Sequence, residues 1–157
     1  MIIVCDCSPL IALAVCGKLT LLDTLFKEVI VPENVYRESI ISGKPEASQI
    51  DAWARGKIQQ AQKLPAKVTN LNLGKGETEA IALYWEKSAD YLLVDEQRGR
   101  KIAASGGIKI IGTLGILLLA KRQGLIASLK PSLDILSGST IRISDRLYKT
   151  ILKLAQE

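Results

Sequence analysis

Ile2-Ile3-Val4-Cys5-Asp6 and Tyr91-Leu92-Leu93-Val94-Asp95 are two short apolar runs that each end on an aspartate. Both read as buried strands, and helix-forming sequence follows each of them. Open parallel sheets bind ligands at the carboxyl ends of their strands, because the backbone turns there into helix N-termini and leaves a crevice. The two runs therefore put a pair of carboxylates where an α/β protein does its chemistry.

Working outward from the first run, Ser8-Pro9 reads as an N-cap followed by a proline at the first helical position, opening a helix through Leu10 to about Val15 that Gly17 ends. A short helix from Leu19 to about Phe26 leads into a strand at Glu28 to Val31. Pro32 starts a helix to about Ile41, and Ser42-Gly43-Lys44-Pro45 is a break. Ala47 to Ala54 reads as a helix, whereas Lys57 to Val68 has too little periodicity to be assigned an element. Leu73-Gly74-Lys75-Gly76 leads into a strongly patterned helix, Glu77 to about Lys87, before the strand that ends at Asp95. A helix from Glu96 to about Ser105, closed by Gly106-Gly107, is followed by a strand at Ile108 to Ile111. Gly112-Thr113 opens an apolar helix to about Gln123. Beyond it come a turn near Lys130-Pro131, a short helix, an extended Ile141-Arg142-Ile143 and a final helix capped by Ser144. Strands alternate with helices throughout, which predicts an α/β fold with a mainly parallel sheet of about four or five strands and helices on both faces.

A chain of 157 residues with 48% apolar content is enough for one ordinary core, so residues 1–157 are expected to form a single domain. The apolar stretch around Ile116 to Ala120 is far short of the roughly 20 residues a bilayer crossing needs. Met1 to Cys5 offers neither a basic leader nor a long apolar region, and the expected location is cytoplasmic, with no membrane association. Cys5 and Cys7 are expected on one side of a buried strand, as small hydrophobes. The sequence contains no histidine, which removes Ser-His-Asp and Cys-His nucleophilic chemistry and makes a zinc site improbable. Any enzymatic work falls to carboxylates, lysines or a metal. The formal charge is +5 and the isoelectric point about 9.2. If the acids gather at one rim, the remaining surface is more basic still, which favours a polyanionic partner such as nucleic acid.

Two further acids compete for the same crevice. Glu77 is followed by Ala80, Ile81 and Tyr84 at i+3, i+4 and i+7, so it heads the core-facing stripe of its helix rather than the solvated side. Glu79 lies about 100° round from Ala80 and reads as a flanking group. Glu38, three residues after Val35, can reach the inner edge of its own helix. Each acid alone has an ordinary use: Asp6 in a turn, Asp95 as an N-cap, Glu77 at a helix N-terminus and Glu38 in water. Four carboxylates at one rim repel one another unless a divalent cation sits among them, which points to oxygen-ligated Mg²⁺ or Mn²⁺.

Five stretches carry a family resemblance: Asp6-Cys7-Ser8-Pro9-Leu10-Ile11, Val31-Pro32-Glu33-Asn34-Val35-Tyr36-Arg37-Glu38 and Leu73-Gly74-Lys75-Gly76-Glu77-Thr78-Glu79-Ala80-Ile81-Ala82-Leu83 are followed by Leu93-Val94-Asp95-Glu96-Gln97-Arg98-Gly99-Arg100-Lys101-Ile102-Ala103 and Ile111-Gly112-Thr113-Leu114-Gly115-Ile116-Leu117. In this order and over nearly the whole chain, they resemble the PIN-domain proteins, in particular the small prokaryotic branch called DUF3368. The resemblance implies a three-layer α/β/α fold and a nuclease whose acidic quartet, here Asp6, Glu38, Glu77 and Asp95, binds Mg²⁺ or Mn²⁺ and hydrolyses RNA or DNA. Ser8 would be the small hydroxyl residue that accompanies the first acid. Cys7 stands where the branch usually has threonine, on a side chain expected to face away from the acids, and Glu77 stands where many PIN nucleases carry aspartate.

Hydrolysis by water would leave a 5′ phosphate and a 3′ hydroxyl. Arg98, Arg100 and Lys101 follow Asp95 closely enough to meet substrate phosphates, with a solvated helix face as their plainer use. The sequence lacks an interleaved aromatic and basic stripe for base stacking. The resemblance also implies single-stranded RNA as partner, an antitoxin protein and a homodimer. A second function class is a PIN-fold module that binds nucleic acid or protein, toxin-like, with little activity alone. A third, a receiver-like phosphoacceptor, wants a lysine at a strand end, and none stands in the expected place.

Overall fold

β1 (Ile2–Cys5) pairs in parallel with β2 (Glu28–Pro32) on one side and with β4 (Tyr91–Leu93) on the other, Ile3 standing opposite Val29 and Tyr91. β3 (Ile58–Gln59) adds outside β2, and β5 (Ile110–Ile111) adds outside β4. In this computed structural model, which describes residues 1–41, 43–63, 73–103, 106–141 and 143–157, the sheet order is β3-β2-β1-β4-β5 and every pairing is parallel. The chain builds outward from β1 in one direction, then crosses to β4 and builds in the other. The switch point, where adjacent connections leave in opposite directions and open a crevice, lies between β1 and β4.

Between β1 and β2 the chain forms α1 (Cys7–Val15) and α2 (Thr20–Leu25). α3 (Glu33–Ile40) and α4 (Pro45–Ala54) precede β3, α5 (Lys75–Glu86) precedes β4, and α6 (Glu96–Ala103) precedes β5. α7 (Thr113–Arg122), α8 (Lys130–Ser137) and α9 (Asp145–Leu154) follow. Successive strand residues point to opposite faces, so the sheet feeds two cores. Ile3, Cys5, Val29, Val31 and Leu93 pack with Leu10, Leu13, Leu22, Leu117 and Leu133 on one face. Val4, Ile30, Leu92 and Val94 pack with Ala80, Ile81, Leu83 and Ile102 on the other. That is the expected three-layer α/β/α arrangement.

Several local expectations shift. β3 falls in the stretch assigned no element: two residues carry no periodicity, and only the open edge of β2, where Val31 N–H donates to Lys57 O at 2.9 Å, makes them a strand. Ser8 is not the N-cap of the first helix. Asp6 holds that position, without a side-chain cap bond, because its N–H is still paired to Leu93 O at 2.8 Å and the chain turns immediately after. For the same reason Cys7 is helical and does not share a strand face with Cys5. α4 and α5 each begin two residues earlier than read, with Pro45 at the first turn of α4. Ser144 caps α9 as expected, its hydroxyl accepting from Leu147 N–H at 3.1 Å. Ser42, Ser105, Arg142 and residues 64–72 lie outside the described residues. Among those described, no helix is long and apolar enough to cross a membrane.

Glu157 ties α7 and α9 to the start of α8. Its carboxylate accepts from Leu129 N–H at 2.8 Å and from the Ser128 hydroxyl, and it pairs with Lys121 Nζ at 2.9 Å. Leu129 is the N-cap residue of α8, so the carboxylate serves helix donors that have no partner within the helix. The Leu129 amide, the Ser128 hydroxyl and the Lys121 ammonium pull its pKa down from 4.5 to about 2. A carboxylate with a depressed folded-state pKa stabilises the fold above its unfolded value and loses that contribution as pH falls through the folded one. Glu157→Gln is therefore expected to melt below wild type near neutrality, with the gap closing between pH 4.5 and about 2. Thermal melts across that range check it, and a gap independent of pH would refute it.

Candidate active site

The first acid is fixed by the strand that precedes it. Asp6 directly follows β1, is only 1% exposed, and its backbone bond to Leu93 sets it beside the end of β4. Asp95 stands two residues beyond Leu93, half-buried, with its carbonyl accepting from Gly99 N–H at 2.8 Å in the first turn of α6. Both acids thus sit at carboxyl ends of adjacent strands, on either side of the switch point.

Glu38 reaches the N-terminus of α5 through a glycine. α3 packs on α5, and the Glu38 carboxylate lies against Gly76 so closely that a β-carbon there would stand 2.9 Å from Oε1 and 3.1 Å from Oε2. Gly76 is the second residue of α5 and immediately precedes Glu77, which is 9% exposed at the head of the buried Ala80-Ile81-Tyr84 stripe. The missing side chain at Gly76 is the seat that brings the otherwise exposed Glu38 to the α5 N-terminus. α3 is tied to the Asp6 side as well. The Ser39 hydroxyl donates to Val35 O at 2.7 Å and lies 3.3 Å from Cys7 Sγ. Cys7 therefore faces α3 at Ser39.

Glu79 departs from its reading as a flanking group. It is 8% exposed, and its Oε1 accepts from Asn34 N–H at 2.9 Å, supplying α3 with the N-terminal acceptor its own sequence lacks. Its task is to hold the helix that carries Glu38. Nothing local could have revealed this, because the partner lies 45 residues away.

Ser8 is the half-buried second residue of α1, and Lys101 is exposed on α6. The side chains of Arg98 and Arg100 lie outside the described residues. Cys5 is fully buried, and desolvation pushes its thiol pKa far up, with the Asp6 charge adding to the rise. It is an inert core group.

Asp6 and Asp95 stand at neighbouring strand ends and Glu38 lies at the α5 N-terminus; among the described residues, no three histidine, cysteine, aspartate or glutamate side chains are placed to hold one metal ion. The donor set nonetheless suits a hard divalent cation, since all four are carboxylates, and the Gly76 seat holds Glu38 at the α5 N-terminus.

Thr113 opens α7. The structure places it, with Gly112, on the wall of a cavity that Asp95 also lines. Compared with protein families, residues 2–157 match the one described as DUF3368: PIN domain. Comparison with curated proteins and with solved structures returned no match.

Proposed function

The chain belongs to the family DUF3368, a PIN domain, and because PIN domains are generally nucleases that use divalent metals, we propose that it is a Mg²⁺- or Mn²⁺-dependent endoribonuclease acting on single-stranded RNA. The observation that carries this reading is the placement of Asp6 and Asp95 on neighbouring strand ends at the switch point of the sheet. Strand ends are rigid, so these two carboxylates are the principal ligands. Glu38 and Glu77 complete the site from the α3–α5 side.

A divalent ion held by these carboxylates would supply an activated water and charge neutralisation at the leaving oxygen. The chain's own residues do the rest. Asp6, sealed from solvent, holds its carboxylate in one orientation, while Asp95 at the half-open side faces incoming substrate. Lys101 attracts the phosphate backbone, with Arg98 and Arg100 on the same helix and the Ser8 hydroxyl on α1 as further phosphate contacts. The sequence has no histidine to act as a base, so proton handling falls to carboxylates. The partners in this proposal are RNA, an antitoxin protein and a second copy of the chain.

The test is cleavage of end-labelled single-stranded RNA with Mg²⁺, with Mn²⁺ and with a chelator, followed by analysis of the new termini. Attack by water leaves 5′-phosphate and 3′-hydroxyl ends, so a 2′,3′-cyclic phosphate sinks the proposal. Inactivity on every RNA and DNA offered moves the chain to the alternative of a toxin-like binding module with little activity alone.

A further inference from the structure

α9 carries a basic surface that the acidic site does not use. Arg146, Lys149 and Lys153 are all exposed, and at 100° per residue they fall within about 60° of arc on one side of the helix. The opposite side packs inward through Leu147, Ile151 and Ala155. Among the described residues none of the three cations is ion-paired, whereas nearby acids are already engaged: Asp134 with Lys130 at 2.9 Å and with the Tyr148 hydroxyl, and Glu157 with Lys121 at 2.9 Å. Asp145 stands in the first turn of α9, where its charge suits the helix dipole. The helix also has a direction. Leu147 and Ile151, in its first two turns, line the recess whose wall includes Asp95, Gly112 and Thr113, and Glu157, just past its end, reaches Lys121 near the end of α7. α9 thus runs alongside α7 from the strand-end rim, and the three cations descend from that rim over about 10 Å, at a rise of 1.5 Å per residue. Lys101 lies elsewhere, on α6, which packs through Ile102 against the other face of the sheet.

We propose that Arg146, Lys149 and Lys153 form a track for the phosphate backbone of the nucleic-acid strand cut at the acidic rim. The inference rests on the nuclease reading and adds to it the path of the strand outside the site. Carboxylates at the rim repel a phosphate backbone, so cations beside the rim have to hold the strand there. The stripe offers one such cation per turn of a rigid helix, each with its charge uncommitted. Each phosphate it neutralises releases condensed counterions, which makes the contact independent of sequence and sensitive to salt. Contacts of this kind position a strand without reading its bases. A membrane surface fits less well, because α9 turns its apolar side to the core, whereas an interfacial helix buries that side in lipid.

The experiment reads binding apart from cleavage. A short labelled single-stranded RNA is titrated with the full chain by fluorescence anisotropy at a series of KCl concentrations, Ca²⁺ replacing Mg²⁺. Wild type is compared with the triple variant Arg146→Gln, Lys149→Gln, Lys153→Gln. A control variant, Lys27→Gln, Lys87→Gln, Lys109→Gln, removes the same charge from exposed positions at the opposite edge of the sheet, just before β2, after α5 and before β5. A single strand contributes about 0.7 to the log-log salt slope per phosphate contact. The stripe variant is therefore expected to bind more weakly, with a slope shallower by about 2 on RNAs of different sequence alike, and the control variant to keep the wild-type slope. Thermal melting confirms that both are folded; if the triple variant is not, Lys149→Gln alone carries the test with a change of about 0.7. A folded stripe variant with the wild-type slope, an equal loss in the control variant, or no RNA binding by the wild type overturns the track, the first leaving the stripe to an acidic protein surface. Binding with the expected salt signature but no cleavage in Mg²⁺ or Mn²⁺ keeps the track and fails the nuclease reading. Cleavage by a wild type whose slope the stripe variant shares does the reverse.

Discussion

Asp6→Asn and Asp95→Asn are each expected to reduce RNA cleavage by about a thousandfold or more, with the folded structure retained. The magnitude follows from what is removed. A divalent ion contributes several kcal/mol of transition-state stabilisation, and each 1.36 kcal/mol is about a factor of ten in rate. Asparagine keeps the shape of aspartate but gives up the charge that holds the ion. Asparagine at position 6 keeps the backbone bond to Leu93 that sets the residue beside the end of β4. The same variants carry a second readout. A ligand that binds only the folded chain stabilises it by about 2.7 kcal/mol at a hundredfold excess over its Kd. Mg²⁺ or Mn²⁺ should therefore raise the melting temperature of the wild type and leave both variants nearly unmoved. Undiminished cleavage by either variant would remove the acidic site from the mechanism.

Gly76→Ala is expected to lower cleavage by about ten- to a hundredfold while leaving stability unchanged or raising it by up to about 1 kcal/mol. The two effects have opposite signs for a geometric reason. Alanine is the better helix former, which favours α5, but its β-carbon would stand 2.9 Å from Glu38 Oε1, closer than such contacts are made. The carboxylate must move. Glu38 is exposed and swings into water at little cost to the fold, yet it leaves the seat at the α5 N-terminus. Each tenfold loss in rate corresponds to 1.36 kcal/mol, a plausible scale for misplacing one carboxylate. The control is a double-mutant cycle: in a Glu38→Ala background, Gly76→Ala should cost no further activity. A Gly76→Ala enzyme as active as wild type would show that Glu38 has no role at the centre.

Much of the placement of the candidate acids is legible because they lie next to strong local signals. The apolar runs at Ile2–Cys5 and Tyr91–Leu93 announce their strands, so Asp6 and Asp95 were recognisable as strand-end residues before any fold was known. Glu77 was legible from the stripe it heads, and the structure buries it as that register requires. Glu79 was misread for the converse reason. Its helical position is ordinary, and what buries it is an N–H on another helix. Gly76 reads as a turn residue in Leu73-Gly74-Lys75-Gly76, whereas its service is to make room for a side chain 38 positions earlier in the chain.

The amino-acid sequence alone determined the class of fold, the alternation of strands and helices and the identity of the candidate acids, because each depends on short-range periodicity and residue chemistry. Tertiary structure alone decided the order β3-β2-β1-β4-β5, the two-residue edge strand, the seating of Glu38 on Gly76 and the cavity beside Asp95. Those features arise from which surfaces meet when distant segments bury their apolar faces together, and that pairing is written in no single stretch of the chain.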